Sequence, residues 1–271
     1  IPAPDHQTLA NMLSVSMHEP VPDSYGEVIA SDLGLSEHRL SPQVTWPAGT
    51  RALVIGAGVS GICAGVNLQQ MGVDFEIIEK NEDFGGTWWE NRYPGAGVDT
   101  PNHIYSFSFA PNDWSRYFAL QGELLTYFQS VADRFDLRQA TRFETRVDEA
   151  RWNDETRKWQ VTMTGPDGTR TETCDILMSA VGVLNTPQIP DIPGAETFAG
   201  IATHTAQWPE DLDVTGKRVA LVGNGASGMQ VAPAIIDKVE KLTVFARSKQ
   251  WAAPFPQFQK KVPDPVRYLL M

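Results

Sequence analysis

Two glycine-rich turns, Gly56-Ala-Gly-Val-Ser-Gly61 and Gly223-Asn-Gly-Ala-Ser-Gly228, constrain this chain more than any other feature. Each comes after a short apolar run, 51–55 and 217–222, and opens a stretch with helical spacing. A second apolar run then comes at 74–79 and at 241–245. Strand, glycine turn, helix and strand form the βαβ start of a nucleotide fold. The three glycines allow a tight turn, close approach to a pyrophosphate, and tight packing of helix on strand. The expected class is therefore α/β, with two Rossmann-like dinucleotide-binding domains.

The residues beyond the two turns differ in charge sign. Glu79 comes about 20 residues after the first turn, where an acid bonds a free ribose 2′-hydroxyl. Arg247 takes the corresponding place after the second, where a guanidinium grips a 2′-phosphate in bidentate fashion. Lys249 adds charge nearby and Ser248 a hydroxyl donor. The first turn is thus expected to hold FAD or NAD, and the second NADP(H). The cofactor-binding set is Gly56, Gly58, Gly61 and Glu79 at the first turn, and Gly223, Gly225, Ser227, Gly228, Gln230, Arg247 and Ser248 at the second.

Between the turns, stretches at 143–152, 158–164 and 169–174 read as an antiparallel meander inserted in the first domain, with turns at 153–156 and 165–168. Residues 175–182 read as a buried strand returning to the nucleotide site, and Pro187, Pro190 and Pro193 lead out of the domain. The first helix is expected over 62–71 and the second over 226–239. Nearer the N-terminus, Leu9, Met12, Leu13 and Met17 recur at helical spacing, and Pro20, Pro22 and Pro42 divide the region into short pieces. A helical arm packed on the main body or on a partner subunit is the expectation.

The net charge of −11 and pI near 4.9 argue against nucleic acid or an anionic membrane as partner. No apolar run approaches the roughly 20 residues of a membrane span. Cys63 and Cys174 lack metal or redox-pair spacing and read as buried reduced thiols, which fits a cytoplasmic setting and disfavours a disulfide reductase. The chain begins with Ile1, so its natural start and any targeting peptide are open. Only residues 229–271 come after the second turn, too few for a nucleotide-binding domain, so the second domain is expected to be incomplete and the chain part of something longer.

The loop 84–99 is dense in glycine and aromatics, including Gly85, Gly86, Thr87, Trp88, Trp89 and Tyr93. Such side chains need a flat apolar partner, either an isoalloxazine ring or the protein core. Phe198, Gly200, His204, Trp208 and Pro209 match the pattern FxGxxxHxxxWP. With the two turns, this pattern resembles the Baeyer–Villiger monooxygenases among the class B flavoprotein monooxygenases, over about residues 49–271. Trp208 favours that branch over the N- and S-oxygenating relatives. The arm at 1–48 is similar to the N-terminal extension of the hydroxyacetophenone type.

The resemblance implies an enzyme in which NADPH reduces FAD, O₂ adds at the flavin C4a, and the peroxyflavin attacks a ketone to give an ester or lactone. It implies that Thr87 and Trp88 line the FAD and that Asp99 and Tyr105 sit beside the flavin. Asp99 would then orient a catalytic arginine beyond Met271; taken alone, Asp-Thr-Pro-Asn is a turn sequence. Val147 completes the expected FAD set. The fingerprint histidine, His204, is expected to act as a hinge between domains rather than as a base. Two positions depart from the family: Gly97 where an arginine is common, and Val183 where glutamine is. The expected partners are a ketone, an aryl ketone for the hydroxyacetophenone type, and O₂, with a homodimer or association with a further C-terminal portion. The expected division is an arm at 1–48, an FAD-binding part at 49–194, a link at 195–215 and the start of an NADP-binding part at 216–271. An N- or S-oxygenating enzyme and a non-catalytic nucleotide-binding fragment stay open as alternatives, and this chain alone is expected to be inactive.

Overall fold

A computed structural model describes residues 4–33, 35, 45–184 and 186–270. Its contacts divide into two units, Ile1–Thr45 with Phe107–Pro111, and Trp46–Ser106 with Asn112–Met271. The smaller unit holds helices α1 (His6–Met17) and α2 (Tyr25–Asp32). Asp5 caps α1 by accepting the Thr8 N–H at 2.7 Å. The two helices approach at Gly26, where a Cβ would lie 2.0 Å from the His6 carbonyl oxygen, so only glycine fits. Leu9 is buried there as expected, but Met12 and Met17 are exposed, and Ala10 takes the inner face with Leu9. Pro42 lies outside the described residues.

In the larger unit, β1 (Arg51–Ile55) enters the first glycine turn, and α3 (Val59–Gln70) starts on its far side, three residues earlier than the sequence suggests. Then β2 (Asp74–Ile78) returns parallel to β1. A single helical turn, α4 (Thr87–Glu90), and the amphipathic α5 (Gln121–Arg134) come next. Leu124, Tyr127, Phe128, Val131 and Ala132 put the buried face of α5 at spacings of three and four.

The short β3 (Thr141–Arg142) adds to β2, and the meander is built from β4 (Arg146–Asn153), β5 (Lys158–Gly165) and β6 (Gly168–Cys174). The expected strand at 143–152 thus begins at Arg146. Thr145 N–H and Glu144 N–H instead bond back to the Glu79 and Asn81 carbonyls, which holds those residues at the end of β2. Leu53, Ile78, Val161, Met163 and Cys174 form one core between the parallel sheet and the meander. Beside it Arg51, Glu76, Arg142 and Glu172 alternate in charge across four strands: Arg51 bonds Glu76 at 2.8 Å and Glu172 at 3.0 Å, and Arg142 bonds both acids.

The returning strand, β7 (Ile176–Ser179), pairs parallel with β1, giving the order β3-β2-β1-β7. It is an edge strand, so Met178 and Ser179 are exposed where burial was expected. The second half repeats the pattern with β8 (Arg218–Val222), α6 (Ala226–Ile235) and β9 (Lys241–Phe245). α6 stops at Ile235, short of residue 239; Pro233 lies inside the helix, and residues 236–239 turn, with the Lys238 N–H and the Val239 N–H both bonding the Ile235 carbonyl. Val231 and Ile235 pack with Tyr93 and Ala96 in a second core that also receives Trp208. The last element is α7 (Asp264–Leu270). Among the described residues no helix is long and apolar enough to cross a membrane.

Candidate functional site

Both turns have the same internal construction. Gly56 and Gly223 each have φ +103°, a region that favours glycine, and their N–H groups bond the carbonyls of Ile78 at 2.8 Å and Phe245 at 2.9 Å. A Cβ at Gly61 would stand 1.9 Å from the Gly56 carbonyl oxygen, and one at Gly228 would stand 2.6 Å from that of Gly223. Gly58 and Gly225 occupy the N-cap positions of α3 and α6. The first N–H groups of each helix have no partner inside the helix and carry its partial positive charge, so each turn suits an anion.

The first turn opens on a cavity of about 340 Å³. Its wall includes Gly56, Gly58, Glu79, Thr87, Trp88, Tyr105 and Val147, which the sequence singles out, and Ser60, Lys80, Asn81 and Arg146, which it does not. A Cβ at Gly86 would lie 2.8 Å from the Gly58 Cα, so paired glycines let loop 85–86 cross the turn closely. Gly61 lies beneath the wall and serves packing.

Glu79 is buried, and both of its carboxylate oxygens are hydrogen-bonded. Its Oε2 accepts the Ala57 N–H at 2.6 Å and its Oε1 accepts the Asn81 N–H at 2.8 Å. Each oxygen keeps a lone pair for a sugar hydroxyl. On another part of the wall the Trp88 Nε1–H donates to the Tyr105 hydroxyl at 3.1 Å, ring edge to ring face. Burial raises the Tyr105 hydroxyl above its usual range, and the charge of Asp99 adds to the rise. Asp99 itself is exposed and lies outside the cavity wall. The protein core receives Phe84 and Tyr93 of the aromatic loop, while Trp88 is shared with the cavity. Burial likewise raises the thiols of Cys174, fully buried, and Cys63, half-buried, and both are unpaired.

At the second turn the hydrogen bonds shift one expectation. Gly56 bonds Ile78 and Gly223 bonds Phe245, so Glu79 corresponds to Ala246, and Arg247 stands one step further on, opposite Lys80. The acid's own place therefore holds a small neutral side chain. Ala246 brings no carboxylate to repel a 2′-phosphate there, and Arg247 and Ser248 are exposed beside the strand exit. The Asn224 amide donates to the Ser248 carbonyl at 3.0 Å and ties the turn to this exit. Ser227 is half-buried. Gln230 has both ends of its amide engaged with loop 93–97.

The fingerprint segment forms the link. A Cβ at Gly200 would lie 2.6 Å from the Phe198 ring, so glycine lets that ring fold across the chain. The His204 Nδ1 accepts the Ala206 N–H at 3.1 Å, capping a short 3-10 turn at 205–207. Trp208 packs on the second core. A Cβ at Gly97, where the family often has arginine, would meet the Ala119 carbonyl oxygen at 2.8 Å, so the strand-like contact of 97 with 120 accounts for glycine. Val183 is exposed.

A family model described as flavin-binding monooxygenase-like matches residues 49–255. The uncharacterized monooxygenase y4iD of Sinorhizobium fredii is 42% identical over 264 residues, covering 97% of this chain and 40% of that protein. A Baeyer-Villiger monooxygenase of Streptomyces coelicolor is 44% identical over 207 residues, covering 75% of this chain and 39% of that protein. Among solved structures, OTEMO in complex with FAD and NADP superposes with a TM-score of 0.75 at 37% identity, covering 83% of this chain and 43% of that one. The closed form of cyclohexanone monooxygenase gives 0.73 at 36% identity, covering 82% and 42%. The chain thus spans about two fifths of the length of these relatives.

Proposed function

Because the chain belongs to the flavin-binding monooxygenase-like family, we propose that its first glycine turn holds FAD, its second holds NADP(H), and the full-length protein is a Baeyer–Villiger monooxygenase. Such an enzyme converts a ketone to an ester or lactone with O₂. The observation that carries this reading is the contrast at the two strand exits. One presents the buried Glu79 carboxylate with lone pairs to spare, and the other presents Ala246 followed by the exposed Arg247.

Bound FAD would supply the redox chemistry that activates oxygen. The residues of this chain bind and shield. The N-terminus of α3 receives the pyrophosphate, Glu79 takes ribose hydroxyls, and Thr87, Trp88, Tyr105 and Val147 wall the cavity against water. The N-terminus of α6 receives the second pyrophosphate, with Gly223, Gly225, Ser227 and Gly228 forming its turn, and Arg247 and Ser248 hold the 2′-phosphate. Asp99 orients a guanidinium toward the reacting face, and His204 stiffens the link as a hinge. In this reading 49–194 is the FAD-binding part, 195–215 the link, and 216–271 the start of the NADP-binding part. An aryl ketone is the finer substrate class, a homodimer the assembly, and the cytoplasm the compartment.

The test uses the full-length protein. Expected are a bound flavin identified as FAD, oxygen uptake that depends on NADPH, and an ester that carries one atom from labelled O₂. Oxygenated amines or sulfides with no ester would replace this reading by the N- or S-oxygenating one. Bound nucleotides with no oxygen uptake would leave a non-catalytic binder.

A further inference from the structure

Loop 93–97, which leads to the exposed Asp99, is seated on α6, the helix that opens at the second glycine turn. The contact is close and specific. Tyr93 is buried, and its hydroxyl donates to the Gln230 Oε1 at 2.7 Å, while the Gln230 Nε2 donates to the Gly97 carbonyl at 2.8 Å. Gly95, at φ +81°, lets the loop lie directly on the helix: a Cβ there would stand 2.5 Å from the Gln230 carbonyl oxygen and 2.9 Å from the Ala234 Cβ.

The same loop is bonded to the wall of the first cavity. The Ala96 carbonyl accepts the Gln121 N–H at 2.8 Å, and the Gln121 Nε2 donates to the Trp88 carbonyl at 2.5 Å. Trp88 in turn donates to Tyr105, and both line the cavity. Burial raises the Tyr93 hydroxyl above its usual range, and the charge of Asp99 adds to the rise.

We propose that the seat made by Tyr93, Gln230 and Gly97 couples the two nucleotide sites, so that a dinucleotide on the second turn changes how tightly the first holds its own, and the reverse. A phosphate bound at the N-terminus of α6 restrains that helix, and the helix can shift only by breaking the bonds of this seat. Linkage requires the effect to be reciprocal. The inference rests on the assignment of FAD and NADP(H) made above.

The experiment measures FAD affinity of the full-length protein with and without saturating NADP⁺, by flavin fluorescence. In the parent, NADP⁺ is expected to change the FAD dissociation constant by about fivefold or more. Tyr93→Phe, which keeps the buried ring and deletes only the hydroxyl, is expected to bring that factor to within about twofold of one. Each nucleotide alone should bind this variant as it binds the parent. Hydrogen exchange gives a second readout, since NADP⁺ should slow exchange in loop 93–97 of the parent and not of the variant. A parent in which both nucleotides bind independently overturns the inference, as does a variant that keeps the parent's factor. A parent that fails to bind one of the two overturns the cofactor assignment and the coupling with it.

Discussion

At the scale of single residues, the two turns separate glycines that the fold needs from glycines that a ligand needs. Gly61 is needed by the fold, because its Cβ would overlap the Gly56 carbonyl and force α3 off β1. Gly61→Ala should cost at least about 2 kcal/mol, and its thermal midpoint should fall by several degrees in a melting experiment. Gly225 differs, since a Cβ there meets nothing within 4 Å and its φ of −71° suits any residue. Gly225→Ala should melt within about 2 °C of the parent and still raise the Michaelis constant for NADPH, because the methyl stands where the pyrophosphate must approach. Equal melting losses in the two variants would contradict this division. Arg247 gives a sharper case. Its loss should raise the Michaelis constant for NADPH about 10- to 100-fold more than that for NADH, the range of a charge-assisted hydrogen bond. Steady-state kinetics with both reductants decides it, and equal effects would remove Arg247 from the phosphate site.

At the scale of elements, the parallel sheet and the meander are held together by apolar packing and by the four-residue charge cluster. Burial pushes the Glu172 carboxyl up, but hydrogen bonds from Arg142 and Arg51 outweigh it and hold the group below its ordinary 4.5. Lys158 and the Arg51 N–H hold Asp175 below its ordinary 3.8. A depressed carboxylate stabilises the fold above its unfolded value, and that stability is lost as pH falls through the folded value. Thermal midpoints should therefore hold steady from neutrality down to about pH 4.5 and then decline. Glu172→Gln should cost about 1–3 kcal/mol of stability at neutral pH, lower the plateau in thermal midpoint accordingly and flatten the decline. Much of this layer is readable from residue order: the strands of both βαβ units and the meander lie within a few residues of their expected places. The ends moved where side chains cannot report them. β4 starts late because Glu144 and Thr145 are bound to the end of β2, and α6 stops early at the turn 236–239, where the Lys238 and Val239 N–H groups bond the Ile235 carbonyl. α5 shows a clear spacing, Leu124 to Ala132, but lacks the glycine turn that marks its neighbours.

At the scale of the whole molecule, the larger unit is closed by its last residues. The Tyr117 N–H bonds the Lys260 carbonyl at 3.2 Å, and the Val262 N–H bonds that of Ser115 at 3.0 Å. Phe118 packs on Phe255 and Phe258, and Arg267 pairs with Asp113. A segment beyond the second βαβ thus lies along one that precedes α5. Phe258 is partly exposed, so Phe258→Ala should change global stability by no more than about 1 kcal/mol. It should nevertheless speed tryptic cleavage after Lys260 and Lys261 severalfold, because local opening exposes those bonds. Unchanged cleavage would mean the backbone bonds hold the segment without the rings.

The order of residues determined the two nucleotide turns, the sheet layers and the family likeness, because each depends on local patterns: glycines at fixed offsets, apolar runs and a fingerprint within twelve residues. It also named seven residues of the cavity wall, Gly56, Gly58, Glu79, Thr87, Trp88, Tyr105 and Val147. The one-residue offset of Arg247 from the acid's register is already present in the spacing, whereas only the tertiary structure decided that Lys80 and Asn81 join the wall and that Gln230 is committed to Tyr93 and Gly97. These facts depend on hydrogen bonds between residues far apart in the chain, and no spacing within one segment encodes which distant carbonyl an N–H will meet.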